Sequence, residues 1–280
     1  MLINDFEKLS LRKFKIKSIL PDATILILGK RRSGKSFLAR DIFFHHREIP
    51  SGVVFSGTEA ASPFFGDFIP DCFIHSEYDP DLIESIMNRQ KRKIREAKGK
   101  GLSETGKHQS NNLFIVLDDM LHDAANWKKE KTIKSIFFNG RHYNFLFILT
   151  MQYAQGIPPE LRSNIDYVFI FNEPSVANRK RIYDAYAGMI PSFEHYCNIL
   201  DACTQNHECL VIKTSGNSTD LREQVFWYKA ENHGDFKLGS KEFWELSKGI
   251  GSDDEDEQYD PNNVKKKGQG PKISVKKTKW

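Results

Sequence analysis

Residues 29–36 combine two glycines, a lysine and a serine at a spacing that suits phosphate binding. The segment reads Gly-Lys-Arg-Arg-Ser-Gly-Lys-Ser, follows the apolar run Thr24–Leu28, and leads into residues that can continue as a helix. Because glycine lacks a Cβ atom, Gly29 and Gly34 allow a tight turn whose N–H groups point into one concavity at a helix N-terminus. The pattern therefore predicts a phosphate-binding loop (P-loop) for a nucleoside triphosphate.

The side chains at the end of the P-loop suit a nucleotide that carries Mg²⁺. Lys35 is expected to reach the β- and γ-phosphates, and the hydroxyl group of Ser36 is expected to ligate the metal ion. We predict ATP and Mg²⁺ as the bound cofactors, although the motif alone leaves ATP and GTP open. The predicted phosphate-binding residues are Gly29, Lys30, Arg31, Arg32, Ser33, Gly34, Lys35 and Ser36.

An apolar strand that ends in two carboxylates is the second chemical element. The run Leu113–Leu117 is followed directly by Asp118 and Asp119, which is the Walker B pattern. In that pattern the first carboxylate holds Mg²⁺ and the second is a general base for the attacking water. We predict these roles for Asp118 and Asp119. The alternative that Asp119 only caps the next helix stays open.

A third polar position follows the run Phe145–Thr150. Ligands of open parallel sheets bind outside the carboxyl ends of the strands, so Gln152 is expected near the γ-phosphate. Its amide can hydrogen-bond both the phosphate and the attacking water. Thr150 is a lesser candidate of the same kind. A solvated loop glutamine is the alternative.

The elements that must position these residues alternate between strand-like and helical patterns, which predicts an α/β fold. Runs that are apolar throughout indicate strands buried on both faces of a mostly parallel central sheet flanked by helices. The predicted strands are Thr24–Leu28, Gly52–Ser56, Leu113–Leu117, Phe145–Thr150 and Tyr167–Phe171, with possible antiparallel edge strands at Cys209–Lys213 and Gln224–Tyr228.

Composition is that of an ordinary globular chain. Of 280 residues, 39% are hydrophobic and 28% are charged, and the net charge of +4 does not by itself indicate nucleic acid. No apolar run approaches the roughly 20 residues that span a bilayer, and four cysteines without framework spacing suit a reducing intracellular setting. We expect a leader at residues 1–20, one P-loop domain at residues 21–250 and a disordered tail at residues 251–280, which holds five consecutive acids and then many lysines.

Local charge marks one candidate surface for nucleic acid. Residues 88–100 contain seven basic residues and one acid, and they extend a helix that begins near Asp81. Together with the polar stretch at residues 99–112, this helix end can follow phosphates without reading bases. A solvated basic helix face is the alternative. The lysine-rich tail is a second candidate for non-specific DNA affinity.

A cluster of cysteine and histidine side chains permits a zinc hypothesis. The five residues are His195, Cys197, Cys203, His207 and Cys209. Structural zinc sites use closer pairs of ligands on one turn, so buried thiols and ordinary histidines are the favoured interpretation. Phe43, Phe44, Phe64 and Phe65 are likewise interpreted as packing residues.

The set and order of these motifs resemble the genome-packaging ATPases of nucleocytoplasmic large DNA viruses, within the FtsK/HerA superfamily of P-loop DNA motors. The resemblance covers about residues 20–230. It depends on the P-loop, the two Walker B aspartates, and three further stretches: Asn139-Gly-Arg-His142, Thr150-Met-Gln152 and Leu161-Arg-Ser-Asn-Ile-Asp166. It implies a RecA/ASCE-like P-loop fold in which Phe145–Thr150 lies between the P-loop and Walker B strands and Gln152 senses the γ-phosphate. Asp119 departs from the family's common glutamate by one methylene.

The resemblance also implies a ring of subunits in which an arginine from one subunit completes its neighbour's site. Arg141 is one candidate, at the sheet edge opposite the strand C-termini, where it cannot easily serve its own site. Arg162 is the other and is slightly favoured; it is expected near the C-terminal edge of the sheet. A surface salt bridge is the alternative for each arginine. His142 is expected to cap or to pack.

Together these interpretations predict an ATP-driven translocase of double-stranded DNA that packages a viral genome. The resemblance implies a homo-oligomeric ring, a capsid or portal partner, and a location in the viral factory of the host cytoplasm and in the virion. The lack of a long apolar run predicts no membrane span. Two other functions stay open: a nucleotide or small-molecule kinase, and an assembly protein that binds ATP as a switch with little turnover.

Overall fold

The computed structural model describes residues 10–59, 61–99, 111–120, 131–153, 157–216 and 218–253. Within these ranges the strands form one mixed sheet. They are β1 (Arg12–Lys13), β2 (Thr24–Leu28), β3 (Gly52–Ser56), β4 (Ile74–His75), β5 (Leu113–Asp118), β6 (Phe145–Met151), β7 (Tyr167–Ile170), β8 (Glu208–Lys213) and β9 (Val225–Lys229).

Helices flank this sheet within the same described ranges. They are α1 (Lys35–His45), α2 (Pro80–Gly99), α3 (Lys131–Asn139), α4 (Pro159–Arg162), α5 (Val176–Tyr186), α6 (Phe193–Cys203), α7 (Leu221–Gln224) and α8 (Lys241–Asp253). Residues 121–130 lie outside the described ranges, so α3 is described only from Lys131. The part of the predicted polar loop at residues 100–110 lies outside them as well.

The strand order is β1-β9-β8-β7-β2-β6-β5-β3-β4. Strands β4, β3, β5, β6, β2 and β7 are parallel to one another, whereas β8 is antiparallel to both β7 and β9. The predicted α/β fold with antiparallel strands is therefore confirmed. One detail differs: β1 pairs in parallel outside β9, so that β9 is not the edge of the sheet.

The sheet is buried on both faces because its central strands carry apolar residues at nearly every position. Leu26 and Leu28 belong to one core, under α2, α3, α5 and α6, whereas Ile25 and Ile27 belong to the other, under α1. All six residues of β5 and all seven residues of β6 are buried. These rigid strands fix the positions of the polar residues at their ends.

Residues at both ends of the predicted domain contribute to this core. Phe14, Ile16 and Ile19, within the predicted leader, are buried, and the ring of Phe14 makes edge contacts with four aromatic rings, two of β7 and two of β9. Helix α8 runs to Asp253, three residues into the predicted tail, and residues 254–280 lie outside the described ranges. No helix within the described residues combines the length and the apolar character needed to cross a bilayer.

Candidate active site

The P-loop connects β2 to α1 at the C-terminal edge of the parallel strands. Gly29 donates its N–H to the carbonyl of Met151 over 3.0 Å, which ties the loop to β6. A Cβ atom on Gly29 would lie 2.4 Å from the Oγ of Ser33, and Gly34 has a φ of 111° at the start of α1. Both positions therefore require glycine, for space at Gly29 and for backbone conformation at Gly34.

Lys35 is buried at the first turn of α1. Its Nζ donates to the carbonyl oxygens of Gly29 and Lys30 over 2.9 and 3.3 Å, and it lies 3.4 Å from Oδ2 of Asp119. The ammonium group is thus held between the P-loop backbone and the end of β5. Ser36 follows on the same turn, beside the cavity described below.

Asp118 lies at the end of β5, where three neighbouring strands bring their polar side chains into register. Ser56 of β3 and Thr150 of β6 are its register partners on either side. Thr150 donates to Oδ1 over 2.7 Å and Ser56 donates to Oδ2 over 3.2 Å. Burial raises the pKa of Asp118, while the two hydrogen bonds and nearby Lys35 act in the opposite direction. A carboxylate beside hydroxyl groups is a donor set that suits Mg²⁺.

Asp119 turns away from the strand with a φ of 51°, a backbone conformation that aspartate tolerates better than most residues. Its N–H donates to Oγ1 of Thr150 over 3.1 Å. Gln152 donates its side-chain amide to Oδ2 of Asp119 over 3.0 Å. The side chain of Asp119 is 25% exposed and therefore reaches solvent, whereas Asp118 is buried.

These contacts bring together the residues that the sequence motifs predicted from separate strands. Strand β6 lies between β2 and β5, as the resemblance implies for Phe145–Thr150. Lys35, Asp119 and Gln152 form one chain of polar contacts at the sheet edge, and Asp118 lies directly behind it. Thr150, a minor candidate from sequence, holds both aspartates.

Two residues of this site were missed by the sequence motifs. Ser56 supports Asp118 as described above. Glu173, two residues beyond Phe171, is buried and lies 3.3 Å from Nζ of Lys30, so it orients a P-loop side chain. Both are polar residues that follow apolar strands of the parallel sheet, which is the signal that identified Gln152.

A cavity of about 490 Å³ opens beside the P-loop on the side of β8 and β9. Its walls include the backbone and side chains of the loop together with four residues from other elements: Phe37, Phe171, His207 and Lys229. The ring of Phe171 lies within 3.3 Å of the position of a Cβ on Gly34, so this ring packs under the loop. The cavity is large enough for part of a nucleotide beyond its phosphates.

Arg141 lies at the opposite, N-terminal edge of the sheet, as predicted. Its Nη2 lies 2.6 Å from Oδ1 of Asp166, and Oδ2 of Asp166 accepts the N–H of Thr24 over 2.9 Å. The Arg141 side chain is 62% exposed despite this ion pair. The salt bridge therefore fixes a largely exposed guanidinium group well away from the P-loop of the same chain.

Arg162 does not lie near the C-terminal edge, where the sequence interpretation put it. Only four residues separate Arg162 from β7, and β7 starts at the N-terminal edge because it is parallel to β2. The guanidinium lies over the ring of Tyr186 at 5.9 Å, and the following Ser163 lines a cavity of about 380 Å³ together with Arg141. Both arginines are therefore remote from the P-loop of their own chain.

The cysteine and histidine cluster is divided between different parts of the molecule. Cys203 and Cys209 are buried in the cores on opposite faces of the sheet. Burial raises the pKa of Cys203 to about 11 and holds that of Cys209 well above its usual value. His195 contacts Ser192, which caps α6, whereas His207 lies beside the P-loop. Within the described residues, these five side chains do not form a metal-ligand group.

Two of the predicted packing phenylalanines lie in the core of the domain. Phe43 and Phe65 are fully buried, which confirms their packing role.

On α2, Arg92 and Arg95 are exposed, whereas Lys91 lies over the ring of Tyr143 at 5.5 Å. The outer face of α2 therefore presents basic side chains to solvent.

A sequence-family model described as Poxvirus A32 protein matches residues 11–215, well over half of the chain. The chain belongs to the poxvirus A32 protein family. An uncharacterized protein of Acanthamoeba polyphaga mimivirus is 35% identical over 244 residues, which cover 87% of this chain and 85% of the relative. An uncharacterized protein of Invertebrate iridescent virus 3 is 39% identical over 225 residues, covering 78% and 81%.

Solved structures share the fold of this A32 family member. The DNA-packaging ATPase B204 from Sulfolobus turreted icosahedral virus matches with a TM-score of 0.53 at 14% identity, over 76% of this chain and all of that chain. The pCW3 conjugation coupling protein TcpA matches with a TM-score of 0.51 at 12% identity, over 82% of this chain and 64% of that chain. The resemblance to packaging ATPases of large DNA viruses, and the P-loop NTPase fold that it implies, are therefore confirmed.

Proposed function

We propose that this A32 family member is an ATPase that drives double-stranded DNA into a viral capsid. The observation that carries the proposal is the convergence of Lys35, Asp118, Asp119 and Gln152 at one edge of the sheet, beside a glycine-bounded phosphate loop. Family membership and the shared fold of a viral DNA-packaging ATPase support the same conclusion. ATP is hydrolysed at this site, and the surfaces that contact DNA lie elsewhere on the domain.

Residues Gly29–Ser36 bind the phosphates of ATP in this proposal. The backbone N–H groups and the helix dipole at the start of α1 favour the phosphate charge, and Lys35 moves its ammonium group from the P-loop carbonyls to the β- and γ-phosphates. Ser36 and Asp118 hold Mg²⁺. That ion, when bound, neutralises charge that develops on the phosphate oxygens.

Asp119 and Gln152 act on the attacking water. Asp119 accepts a proton as the water oxygen forms its bond to the γ-phosphorus and the bond to the β–γ bridging oxygen breaks, which leaves ADP and phosphate. Gln152 already donates to Asp119, and its carbonyl oxygen can accept from the same water. Because the two side chains are in contact, a movement of Gln152 when the γ-phosphate binds also repositions the general base Asp119.

A neighbouring subunit completes the site with an arginine. Arg141 and Arg162 both lie toward the N-terminal edge of the sheet, so neither serves the P-loop of its own chain without a large rearrangement. Arg141 is the better exposed of the two, because 62% of its side chain contacts solvent. This reverses the preference for Arg162 drawn from sequence. A trans arginine is worth about 10³–10⁵ in rate where one operates.

The exposed basic face of α2 is the proposed contact to DNA. Arg92 and Arg95 lie on that face, and they suit phosphate contacts that do not depend on base sequence. Subunits arranged in a ring would direct several such helices toward one duplex. A capsid or portal protein, the viral factory and the virion complete the proposed setting.

ATP turnover by the purified chain, with and without long double-stranded DNA, tests this function alongside the size of the oligomer. Stimulation by DNA in a ring-sized particle supports the motor. Turnover that requires a phosphate acceptor instead of DNA would support a kinase, and ATP binding without turnover under both conditions would support an assembly switch. For the site variant Asp119→Asn, which removes a carboxylate charge, the matched control is Asp184→Asn on the exposed face of α5.

A further inference from the structure

Three metal-ligating side chains converge at the C-terminal half of α1, away from the proposed ATP site. Oδ1 of Asp41 lies 2.7 Å from Nε2 of His233 and 3.5 Å from Nε2 of His45. The three ligand atoms all lie within 4.8 Å of one another, and within the described ranges no other set of three or more such side chains meets in this way. On α1, Asp41 is about 9 Å and His45 about 15 Å along the helix axis from Lys35.

Surrounding contacts orient these side chains before any ligand binds. Oδ2 of Asp41 accepts hydrogen bonds from the hydroxyl of Tyr228 over 2.7 Å and from the N–H of Glu231 over 2.9 Å. The other oxygen therefore faces the two imidazoles. The ring of His233 stacks on Phe44 with centroids 3.7 Å apart and planes within 4°. Partners of this kind fix the ligands of metal sites in proteins.

Burial and donor chemistry define the class of ligand. The side chain of Asp41 is fully buried, and those of His45 and His233 are 10% and 13% exposed. Two imidazole nitrogens and one carboxylate oxygen suit a borderline divalent transition metal, whereas Mg²⁺ and Ca²⁺ prefer oxygen ligands alone. The pocket beside His45 opens to solvent past Lys17 and Arg47, which leaves a path for water to a fourth coordination position.

We propose that Asp41, His45 and His233 bind one Zn²⁺ ion. Tetrahedral zinc with bonds of about 2.0–2.2 Å holds its ligand atoms about 3.3 Å apart. The distance from Asp41 to His45 already matches this value. The distance from Asp41 to His233 must open by roughly 0.6 Å, as the ion replaces the shared hydrogen. No step of ATP hydrolysis depends on this site.

The ion would clip the segment after β9 onto the P-loop helix. His233 belongs to residues 230–238, which contain no helix or strand, while Asp41 and His45 belong to α1. The segment already contacts this helix through Arg40, whose Nη1 donates to the carbonyl of His233 over 3.1 Å. Because a metal bound only by the folded chain stabilises it, Zn²⁺ is expected to raise the melting temperature.

Metal content of the untagged, full-length protein tests the proposal directly. The protein is stripped with a chelator, loaded with Zn²⁺ in the presence of excess Mg²⁺, passed through a desalting column and measured by elemental mass spectrometry. The wild-type chain is expected to retain about one equivalent, and His45→Gln and His233→Gln are expected to retain less than about a tenth. Glutamine keeps a nitrogen donor beside Asp41, so His233→Gln can preserve the hydrogen bond to Oδ1 and His45→Gln can preserve the polar contact.

His142→Gln is the matched control, since His142 is exposed at the N-terminal edge of the sheet. It should retain zinc like the wild type and show the same zinc-dependent rise in melting temperature. Melting curves without metal establish that the two site variants are folded. Absence of retained zinc in the wild type, or retention by both site variants at the wild-type level, would overturn the proposal and leave a hydrogen-bonded cluster around Asp41.

Discussion

Thr150 donates its hydroxyl hydrogen to Oδ1 of Asp118 over 2.7 Å, and Oγ1 of Thr150 accepts the N–H of Asp119 over 3.1 Å. One side chain of β6 therefore fixes both aspartates at the end of β5. These contacts depend on β6 lying directly beside β5, so that Thr150 reaches Asp118 while Gln152, two residues on, reaches Asp119. On its other side β6 borders the P-loop strand β2.

Thr150→Val is expected to lower kcat at least about tenfold, because it removes the donor to Asp118 and the acceptor for Asp119. It should also cost roughly 1–3 kcal/mol of folding free energy, since a buried carboxylate loses a hydrogen bond. Thr150→Ser retains the hydroxyl and should keep most of the activity. Steady-state ATPase assays and thermal melts measure both effects.

Thr204→Val separates loss of stability from loss of chemistry. Thr204 is also buried, and its hydroxyl donates to the carbonyl of Leu200 at the end of α6. Its substitution should lower the melting temperature and leave kcat unchanged. If Thr150→Val lowered the melting temperature without a change in kcat, the proposed alignment of the aspartates by Thr150 would be wrong.

Asp119→Asn is expected to reduce kcat by about 10²–10⁴ while ATP still binds, because the amide cannot accept the proton from water. The backbone at this position has a φ of 51°, which asparagine tolerates as well as aspartate does. A loss of activity therefore reflects chemistry rather than strain. Equilibrium binding of a fluorescent ATP analogue and single-turnover hydrolysis are the measurements.

The charge-matched control for this variant is Asp184→Asn on α5, where an exposed carboxylate pairs with Lys180. It should behave as the wild type in both assays, since exposed ion pairs contribute little. Retention of full single-turnover activity by Asp119→Asn would exclude Asp119 as the general base.

Mixed oligomers test the proposed trans arginine. Arg141→Ala leaves the chemical groups of its own P-loop site intact, and Asp119→Asn leaves Arg141 intact. If the arginine acts across the interface, each variant alone is inactive, but a mixture regains part of the activity where an intact site meets an intact arginine. The same experiment with Arg162→Ala compares the two candidates.

Recovery in neither mixture would show that these arginines do not act in trans. Melting temperatures are needed as a control for Arg141→Ala, because this substitution also removes the 2.6 Å ion pair with Asp166. Arg141→Lys keeps the charge but not the paired geometry of the guanidinium group. It should therefore restore stability more than it restores turnover.

The basic face of α2 predicts how the affinity for DNA depends on salt concentration. Arg92→Glu combined with Arg95→Glu should weaken binding to long duplex DNA, and the slope of log affinity against log salt should fall by about two if each arginine neutralises one phosphate. Lys180→Glu combined with Arg181→Glu, on the exposed surface of α5, is the control. Fluorescence anisotropy at several salt concentrations measures the slopes. Equal slopes for the wild type and the α2 variant would remove this helix from the proposed DNA surface.

Much of the parallel sheet was predictable because its strands are apolar at nearly every position. The bounds of β2 and β3 agree with the predicted runs, and those of β5 and β6 differ by one residue at the C-terminal end. Local sequence did not reveal β1, since only two exposed residues pair there. Its position depends on β9, more than 200 residues later.

The candidate site was predictable where chemistry follows a strand end, as at Asp118, Asp119 and Gln152. Ser56 was missed because a single serine at the end of a strand is ordinary until its register partner is known. Arg162 was misplaced because the path of the chain after β6 is not encoded in strand periodicity. The cluster of Asp41, His45 and His233 was also missed, since His233 is 188 residues from His45 and the contact exists only in the folded chain.

The central claim is that hydrolysis at this site moves double-stranded DNA, and displacement of a third strand from a long duplex tests it most directly. The wild-type protein should displace a triplex-forming oligonucleotide placed far from the duplex end, in a reaction that requires ATP and Mg²⁺. Asp119→Asn should bind the same DNA and ATP without displacing the oligonucleotide. Displacement by Asp119→Asn, or ATP hydrolysis by the wild type without any displacement, would contradict the account.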